Sequence, residues 1–185
     1  MKTQYYTASS LDGFIATDAD GLEWLFPLGD INDTGYPDFF TRVGALAMGA
    51  ATYKWILEHV VRPGSPSPGV WPYAQPTWVF THHVLPNVPG ADVRFVEGDV
   101  RPVHAAMRAA APGANLWIVG GGDLAGQFID ADLVDEIIVT VASVTLSSGK
   151  PLLPRVIVSP PLRLVSARAL GAGFAELTYT VPKST

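Results

Sequence analysis

Asn115-Leu-Trp-Ile-Val-Gly-Gly-Gly-Asp-Leu-Ala-Gly-Gln-Phe128 is the stretch that decides how this chain is read. The apolar run Leu116 to Val119 has the length and composition of a strand buried on both faces, as strands of parallel sheets are. Gly120, Gly121 and Gly122 then leave the backbone without side chains, and a helical segment from Asp123 to Ile129 follows directly. Three glycines at a strand's end permit unusual dihedrals and close approach of a ligand. The next helix presents unpaired N–H groups that suit a phosphate. Two readings stand side by side: a nucleotide-binding turn, or a tight strand-to-helix turn that binds nothing.

Upstream, Gln4 to Ser9 reads as a strand, Ser10-Leu-Asp-Gly13 as a turn and Phe14-Ile-Ala16 as a second apolar piece. Thr17 to Gly21 is dense in turn formers. After a polar, glycine-rich loop from Gly29 to Gly35, Pro37 suits the first turn of a helix running through Phe39, Phe40 and Val43. Gly44 is expected to end that helix. Ala45 to Met48 is expected as a short buried strand and Thr52 to His59 as a helix with Tyr53, Ile56 and Leu57 inward. Arg62 to Pro72 holds four prolines among small residues and reads as an exposed loop. Thr77 to Thr81 and Val93 to Val96 read as strands, and Asp99 as the cap of a helix through Ala111.

Downstream, Asp135 to Val141 is a strand, followed by Leu162 to Leu170 and Phe174 to Val181 around Gly171-Ala-Gly173. Ala175, Leu177, Tyr179 and Val181 alternate with polar residues, the pattern of a hairpin with one wet face. Strand–helix alternation closed by such a hairpin predicts an α/β fold, a mostly parallel sheet with antiparallel strands added at one side.

Bulk properties narrow the function. The 185 residues suit one domain spanning 1–185, and 48% hydrophobic against 16% charged residues predicts a packed core. A net charge of −5 with scattered basic residues gives no footprint for nucleic acid. The absence of cysteine excludes disulfides, thiolate catalysis and Cys-based zinc sites. No apolar run reaches membrane length, so a cytoplasmic protein without membrane partners is expected.

Motif by motif, several chemistries drop out. Gly120-Gly-Gly122-Asp-Leu-Ala125 satisfies a dinucleotide fingerprint formally, but the next strand ends Thr140-Val-Ala-Ser143 without the acid that would hold a ribose. Ser147-Ser-Gly-Lys150 lacks the first glycine of a P-loop. His82 and His83, adjacent on a strand, would point to opposite faces; His59 and His104 lack a second ligand at helical spacing, so no metal site is expected. Three strand ends remain: Met48-Gly-Ala-Ala-Thr52, Phe80-Thr-His-His83 and Val119-Gly-Gly-Gly-Asp123. Ligands of open α/β sheets bind at such ends.

Together these residues resemble the dihydrofolate reductase superfamily, and most closely the reductase domain of the riboflavin-biosynthesis deaminase–reductase and its stand-alone relatives. The resemblance rests on Ser10-Leu-Asp-Gly-Phe-Ile-Ala16, on Ala47-Met-Gly-Ala-Ala-Thr-Tyr53 against M-G-R-x-T-[YW], and on Ile118-Val-Gly-Gly-Gly-Asp-Leu124. Leu133-Val-Asp-Glu136, Leu146-Ser-Ser-Gly-Lys-Pro-Leu-Leu153 and the final hairpin follow in the family's order. It implies a dihydrofolate-reductase-like three-layer α/β/α domain that takes hydride from NADPH. Its relative acts as 5-amino-6-(5-phosphoribosylamino)uracil reductase; a dihydrofolate or pterin reductase, or a nucleotide-binding module without turnover, are the alternatives.

By the same resemblance Gly49 and Thr52 hold the pyrophosphate and adenosine side, and Thr81 and His82 lie at the adenosine ribose. Gly120, Gly121, Gly122, Asp123 and Leu124 cradle the pyrophosphate, and Ala8, Ser9, Ile15 and Ala16 line the nicotinamide. Trp24 follows the mobile loop of dihydrofolate reductases, which places it by a pyrimidine or pterin-like substrate and makes Thr17 to Gly21 a lid. Asp12 stands in the turn between the nicotinamide-lining pieces, either facing the substrate or simply forming the turn. Ala50 replaces the family's basic residue, which admits NADH, and the substrate-binding carboxylate of dihydrofolate reductases has no match at Asp33 or Asp38. Homodimers among the relatives imply a homodimer here, with apolar residues around Trp71-Pro-Tyr73 in the interface.

Overall fold

The computed structural model of the chain describes residues 1–65 and 68–183. Strand β1 (Thr3–Ser10) runs through the middle of an eight-stranded sheet. β2 (Phe14–Ala16) leaves that sheet, and β3 (Val43–Gly49), β4 (Thr77–Phe80), β5 (Val93–Val96) and β6 (Asn115–Gly120) build one side of it. β7 (Glu136–Ala142), β9 (Arg163–Leu170) and β10 (Phe174–Thr180) build the other, while β8 (Lys150–Pro151) pairs with β2 in a small ribbon. The order is β5-β4-β3-β6-β1-β7-β10-β9. All pairs from β5 to β7 are parallel, and β10 is antiparallel to both β7 and β9. The sheet is thus mostly parallel with an antiparallel hairpin at one side, as the alternation predicts.

Helices cover both faces. On one, α3 (Val100–Ala110) and α4 (Gly122–Asp130) bury Val103, Met107, Leu124 and Phe128 against Tyr5, Ala45, Ala47 and Ile118. Asp99 caps α3 by accepting from the Arg101 N–H at 3.0 Å. On the other face lie α1 (Tyr36–Phe40) and α2 (Ala50–Ile56), which place Phe39, Tyr53 and Ile56 over Leu46, Met48 and Trp117. A buried Leu, Met or Phe contributes roughly 1.5–3 kcal/mol, and strand residues Leu46, Met48, Leu116 and Ile118 are all fully buried.

Three expectations change. Val43 and Gly44 belong to β3 rather than to the helix before it. A Cβ on Gly44 would lie 2.5 Å from the Ala114 Cβ and 2.7 Å from the Ala111 Cβ, so the glycine marks where the end of α3 presses on the strand. α2 begins at Ala50, two residues early, and its last turn widens into a π-helical turn, Leu57–Val61. The Arg62 to Pro72 loop, of which Pro66 and Ser67 lie outside the described residues, ends inside the core: Trp71 is only 8% exposed and Tyr73 is half-buried. Trp71 and much of Tyr73, expected at the surface, are therefore turned inward, while Val70 stays exposed.

Candidate functional site

At the C-terminal ends of the adjacent parallel strands β3 and β6, two helix N-termini meet. Gly49 caps α2 and Gly121 caps α4, and neither cap offers a side chain to the first N–H groups of its helix. Those donors are left for another partner. Gly121 has φ +98°, a conformation that L side chains rarely adopt. A Cβ placed there would lie 4.0 Å from the Gly49 nitrogen, which measures how closely the two caps approach. A Cβ on Gly120 would fall 2.6 Å from Thr52 Oγ1, and one on Gly122 2.3 Å from the Pro151 carbonyl oxygen. Gly120 and Gly122 are thus required by packing against Thr52 and the 151–152 backbone, while Gly121 and Gly49 leave the meeting of the two caps free of side chains, a cradle of backbone. Donors of this kind, positive by the helix dipole, suit a diphosphate, and the residues present fit a dinucleotide on that ground.

The other expected residues are placed as follows. Asp123 is engaged: its carboxylate accepts from Gln127 Nε2 at 2.8 Å and Arg155 Nη1 at 3.1 Å, which hold its pKa below the usual carboxylate value. Leu124 is a core side chain, leaving its backbone alone at the cradle. Thr81 and His83 close a local bend, His83 N donating to Thr81 Oγ1 at 3.0 Å. His82 and His83 therefore leave β4 in a bend, and strand alternation does not apply to them; His82 Nδ1 lies 3.4 Å from Glu97 Oε2 on the surface.

Ala8 reaches the large cavity described below, whereas Ser9 and Ala16 are buried and Ile15 is half-buried outside its lining. Asp12 is occupied by the turn: it accepts from Ser10 Oγ (2.6 Å), Leu146 N (3.0 Å) and Ser147 N (2.8 Å), and is not among the cavity's residues. Those bonds, the Ser10 hydroxyl first, hold its pKa down. Of the two sequence readings of Asp12, the geometry supplies the turn. Trp24 is half-buried with its indole N–H unpartnered, also outside the lining. Thr17 to Gly21 closes on itself and is tied to Ser148 and Lys150 through Asp18 and Asp20. The segment that covers the cavity is instead residues 25–36.

That cavity, about 740 Å³, lies beneath 25–36 on the α1 side of the sheet. Its walls are aromatic: Tyr6, Tyr36, Tyr73, Trp117 and Phe174, with Phe26 at the edge. Ala8 and Val119 line it too, and Val119 directly precedes Gly120 on β6, so one wall of the cavity lies on the strand that leads to the glycines. Its polar groups centre on the Tyr6 hydroxyl, which donates to Glu176 Oε2 at 2.9 Å and receives a long contact from Thr140 Oγ1 at 3.5 Å. Burial chiefly, with the Glu176 charge adding to it, raises the Tyr6 pKa to about 12. Glu176 is 5% exposed and pairs with Arg168. Trp117 Nε1 is committed to the Tyr6 carbonyl at 3.0 Å.

Sequence reasoning missed this cavity. Tyr6 and Thr140 read as ordinary strand residues, and Glu176 fell on the wet side of the expected hairpin pattern. In the structure Ala175 is exposed and Glu176 is the buried residue of β10. The one signal was a lone acid between apolar residues in a strand, and a surface charge gives the same signal.

Comparisons with known proteins bear on the family and the fold. The model of the RibD C-terminal domain matches residues 50–175. The uncharacterized protein YwjB of Bacillus subtilis is 34% identical over 171 residues, covering 92% of each chain. A protein of Shewanella sp. PV-4, provisionally named for riboflavin biosynthesis, is 26% identical with a TM-score of 0.79, covering 99% of this chain and 100% of that one. The dihydrofolate reductase of Enterococcus faecalis, complexed with NADP(H), is 18% identical with a TM-score of 0.63 over 97% of this chain and 95% of that one, a likeness of fold.

Proposed function

We propose that the chain, which belongs to the RibD C-terminal domain family, is a nicotinamide-dinucleotide-dependent reductase of a small planar heterocycle of the pyrimidine or pterin class. The observation that carries this is an aromatic cavity set on the strand that leads to a diphosphate cradle, Val119 lining the cavity directly before Gly120. The NADP(H) complex of a reductase of this fold supports the choice of cofactor. The backbone of Gly49, Thr52 and Gly120 to Leu124 would hold the pyrophosphate, Ala8 would face the nicotinamide, and Thr81 and His82 would lie outermost. Bound there, a reduced nicotinamide supplies hydride to a ring in the cavity. The chain's own part is to bind, to orient and to exclude water: the uncapped N–H groups fix one end, and Tyr36, Tyr73, Trp117 and Phe174 hold a flat ring against it.

NADPH is the expected cofactor and NADH is admitted, because Ala50 removes the guanidinium that reads the 2′-phosphate in the family pattern. The resemblance implies the aminouracil reductase of riboflavin biosynthesis, whose substrate carries a phosphoribosyl group; the lining of the cavity, without a basic side chain among the described residues, favours an unphosphorylated ring over that form. A single reductase domain acting in the cytoplasm is the setting the resemblance implies.

The test is direct. Purified protein is titrated with NADPH by fluorescence, then assayed for cofactor oxidation with a panel of pterins, aminopyrimidines and flavin precursors. Binding with oxidation by one of them is expected. No change in cofactor fluorescence removes the reading. Binding without oxidation by any panel member favours the alternative of a nucleotide-binding module, for which the alanines at 50 and 51 and the engaged Asp12 argue.

A further inference from the structure

We infer that the aromatic cavity takes an unphosphorylated planar heterocycle and selects it by an N–H edge, read by lone pairs that Glu176 turns toward it. The inference deepens the reductase reading, since it names the substrate class of that same cavity. Two independent observations carry it.

First, among the described residues, those lining the cavity include a single charged side chain, Asp30, and no lysine, arginine or histidine. A phosphate monoester drawn in here would face a carboxylate and aromatic rings with no cation to pair with, a costly burial. A neutral or cationic ring meets no such penalty, and Tyr36 and Tyr73, each packed edge-to-face on Trp117 at 5.7 and 5.8 Å, give it aromatic walls to lie against.

Second, the polar groups have a fixed direction. Paired with the Arg168 guanidinium, the Glu176 carboxylate acts only as an acceptor. The Tyr6 hydrogen points to it at 2.9 Å, and the Thr140 hydrogen points to Tyr6. The chain Thr140 to Tyr6 to Glu176 therefore draws both hydroxyl hydrogens away from the cavity and leaves oxygen lone pairs facing it. Such a floor accepts from a ring amino or imide N–H and repels a ring that offers acceptors alone. Gly35 seals the arrangement from the other side, since a Cβ there would lie 2.9 Å from Arg168 Nη2 and closer still to Glu176. Glu176 does not line the cavity and acts as a positioning residue for Tyr6.

The probes are 2,4-diaminoquinazoline, which offers N–H donors, and 2,4-dimethoxyquinazoline, which offers acceptors only, titrated by tryptophan fluorescence against the full-length protein. The diamino ring is expected to bind at least roughly tenfold tighter, the scale of one hydrogen bond made against one acceptor pair left facing another. Tyr6→Phe removes the oxygen and brings the ratio to about one to three. Glu176→Gln can donate its amide N–H to Tyr6, which turns the Tyr6 hydrogen into the cavity and reverses the ratio toward the dimethoxy ring. A merely structural Glu176 would weaken both rings alike. Thermal melts establish that each variant is folded, and the Tyr6→Phe result stands if Glu176→Gln is not. Equal binding of the two rings, a preference that survives Tyr6→Phe, or binding of neither ring overturns the inference. NADPH titration in the same samples separates the two readings, because loss of cofactor binding with the ring preference intact would remove the reductase and leave this site.

Discussion

Replacing Gly121 with alanine isolates the cradle from everything else in the molecule. The residue caps α4 at φ +98° and ψ 97°, and holding a non-glycine residue in such a region costs on the order of 1–3 kcal/mol. Space is not the difficulty: the new Cβ meets the Leu124 Cβ at 3.5 Å and the Gly49 nitrogen at 4.0 Å, both ordinary contacts. Relief comes only by rotating the peptide that follows, which swings the Gly122 and Asp123 N–H groups off the line shared with Gly49. Each hydrogen bond to a charged ligand lost in this way is worth about 1.5–3 kcal/mol, or roughly 10- to 150-fold in Kd. Gly113→Ala is the matched control. It has φ +82° with nothing within 4 Å, in the turn after α3, and carries a similar backbone penalty far from the cradle. Thermal melts should show both variants destabilised by comparable amounts. Fluorescence titration should show NADPH binding weakened tenfold or more in Gly121→Ala alone. A folded Gly121→Ala protein that binds NADPH within about twofold of the parent would refute the placement of the pyrophosphate.

With Ala50 in place of the guanidinium, preference for NADPH over NADH should stay within about tenfold, or roughly 1.4 kcal/mol, and parallel titrations of the two cofactors measure it. Gly44→Ala should lower stability by about 1–3 kcal/mol, because its Cβ would meet two alanine methyls at 2.5 and 2.7 Å, and a urea midpoint reads this directly. His104 is buried against Thr3 Oγ1 at 2.8 Å, and burial, then Arg108, holds its pKa below the ordinary 6.5. The unfolded chain therefore binds this proton first, so the stability it contributes is present above about pH 6.5 and is lost as pH falls through that value toward the lower folded one. His104→Gln should flatten that part of the stability–pH curve.

The glycine turn, the mostly parallel sheet and the hairpin are legible because each depends on local pattern. Three glycines after an apolar run leave few alternatives, and alternation of strand and helix permits few topologies. Val43 and Gly44 were misplaced because a glycine required by the pressure of Ala111 and Ala114 looks, in sequence, like a glycine that stops a helix. Trp71 was expected outside because prolines surround it, yet packing against Tyr53 and Tyr73 decides its place. The cavity was illegible for a deeper reason. Tyr6, Thr140 and Glu176 acquire their relation only through pairing of distant strands, Glu176 standing opposite Thr140 across β10 and β7, and no local rule carries that information.

The bond between Tyr6 and Glu176 spans 170 positions of the chain. It joins the first strand of the sheet to the last, with β7 between them, so the polar floor cannot exist while any part of that order is missing. Contacts of such separation form late, after the loop-closure entropy of the intervening chain has been overcome. A nascent polypeptide emerging from the ribosome can assemble the glycine cradle from β3 and β6 well before β10 is made. The two halves of the candidate site thus draw on different lengths of chain, the cradle on residues up to 152 and the polar floor on β10 as well. A truncation that removes β10 therefore removes the polar floor of the cavity while keeping every residue of the cradle.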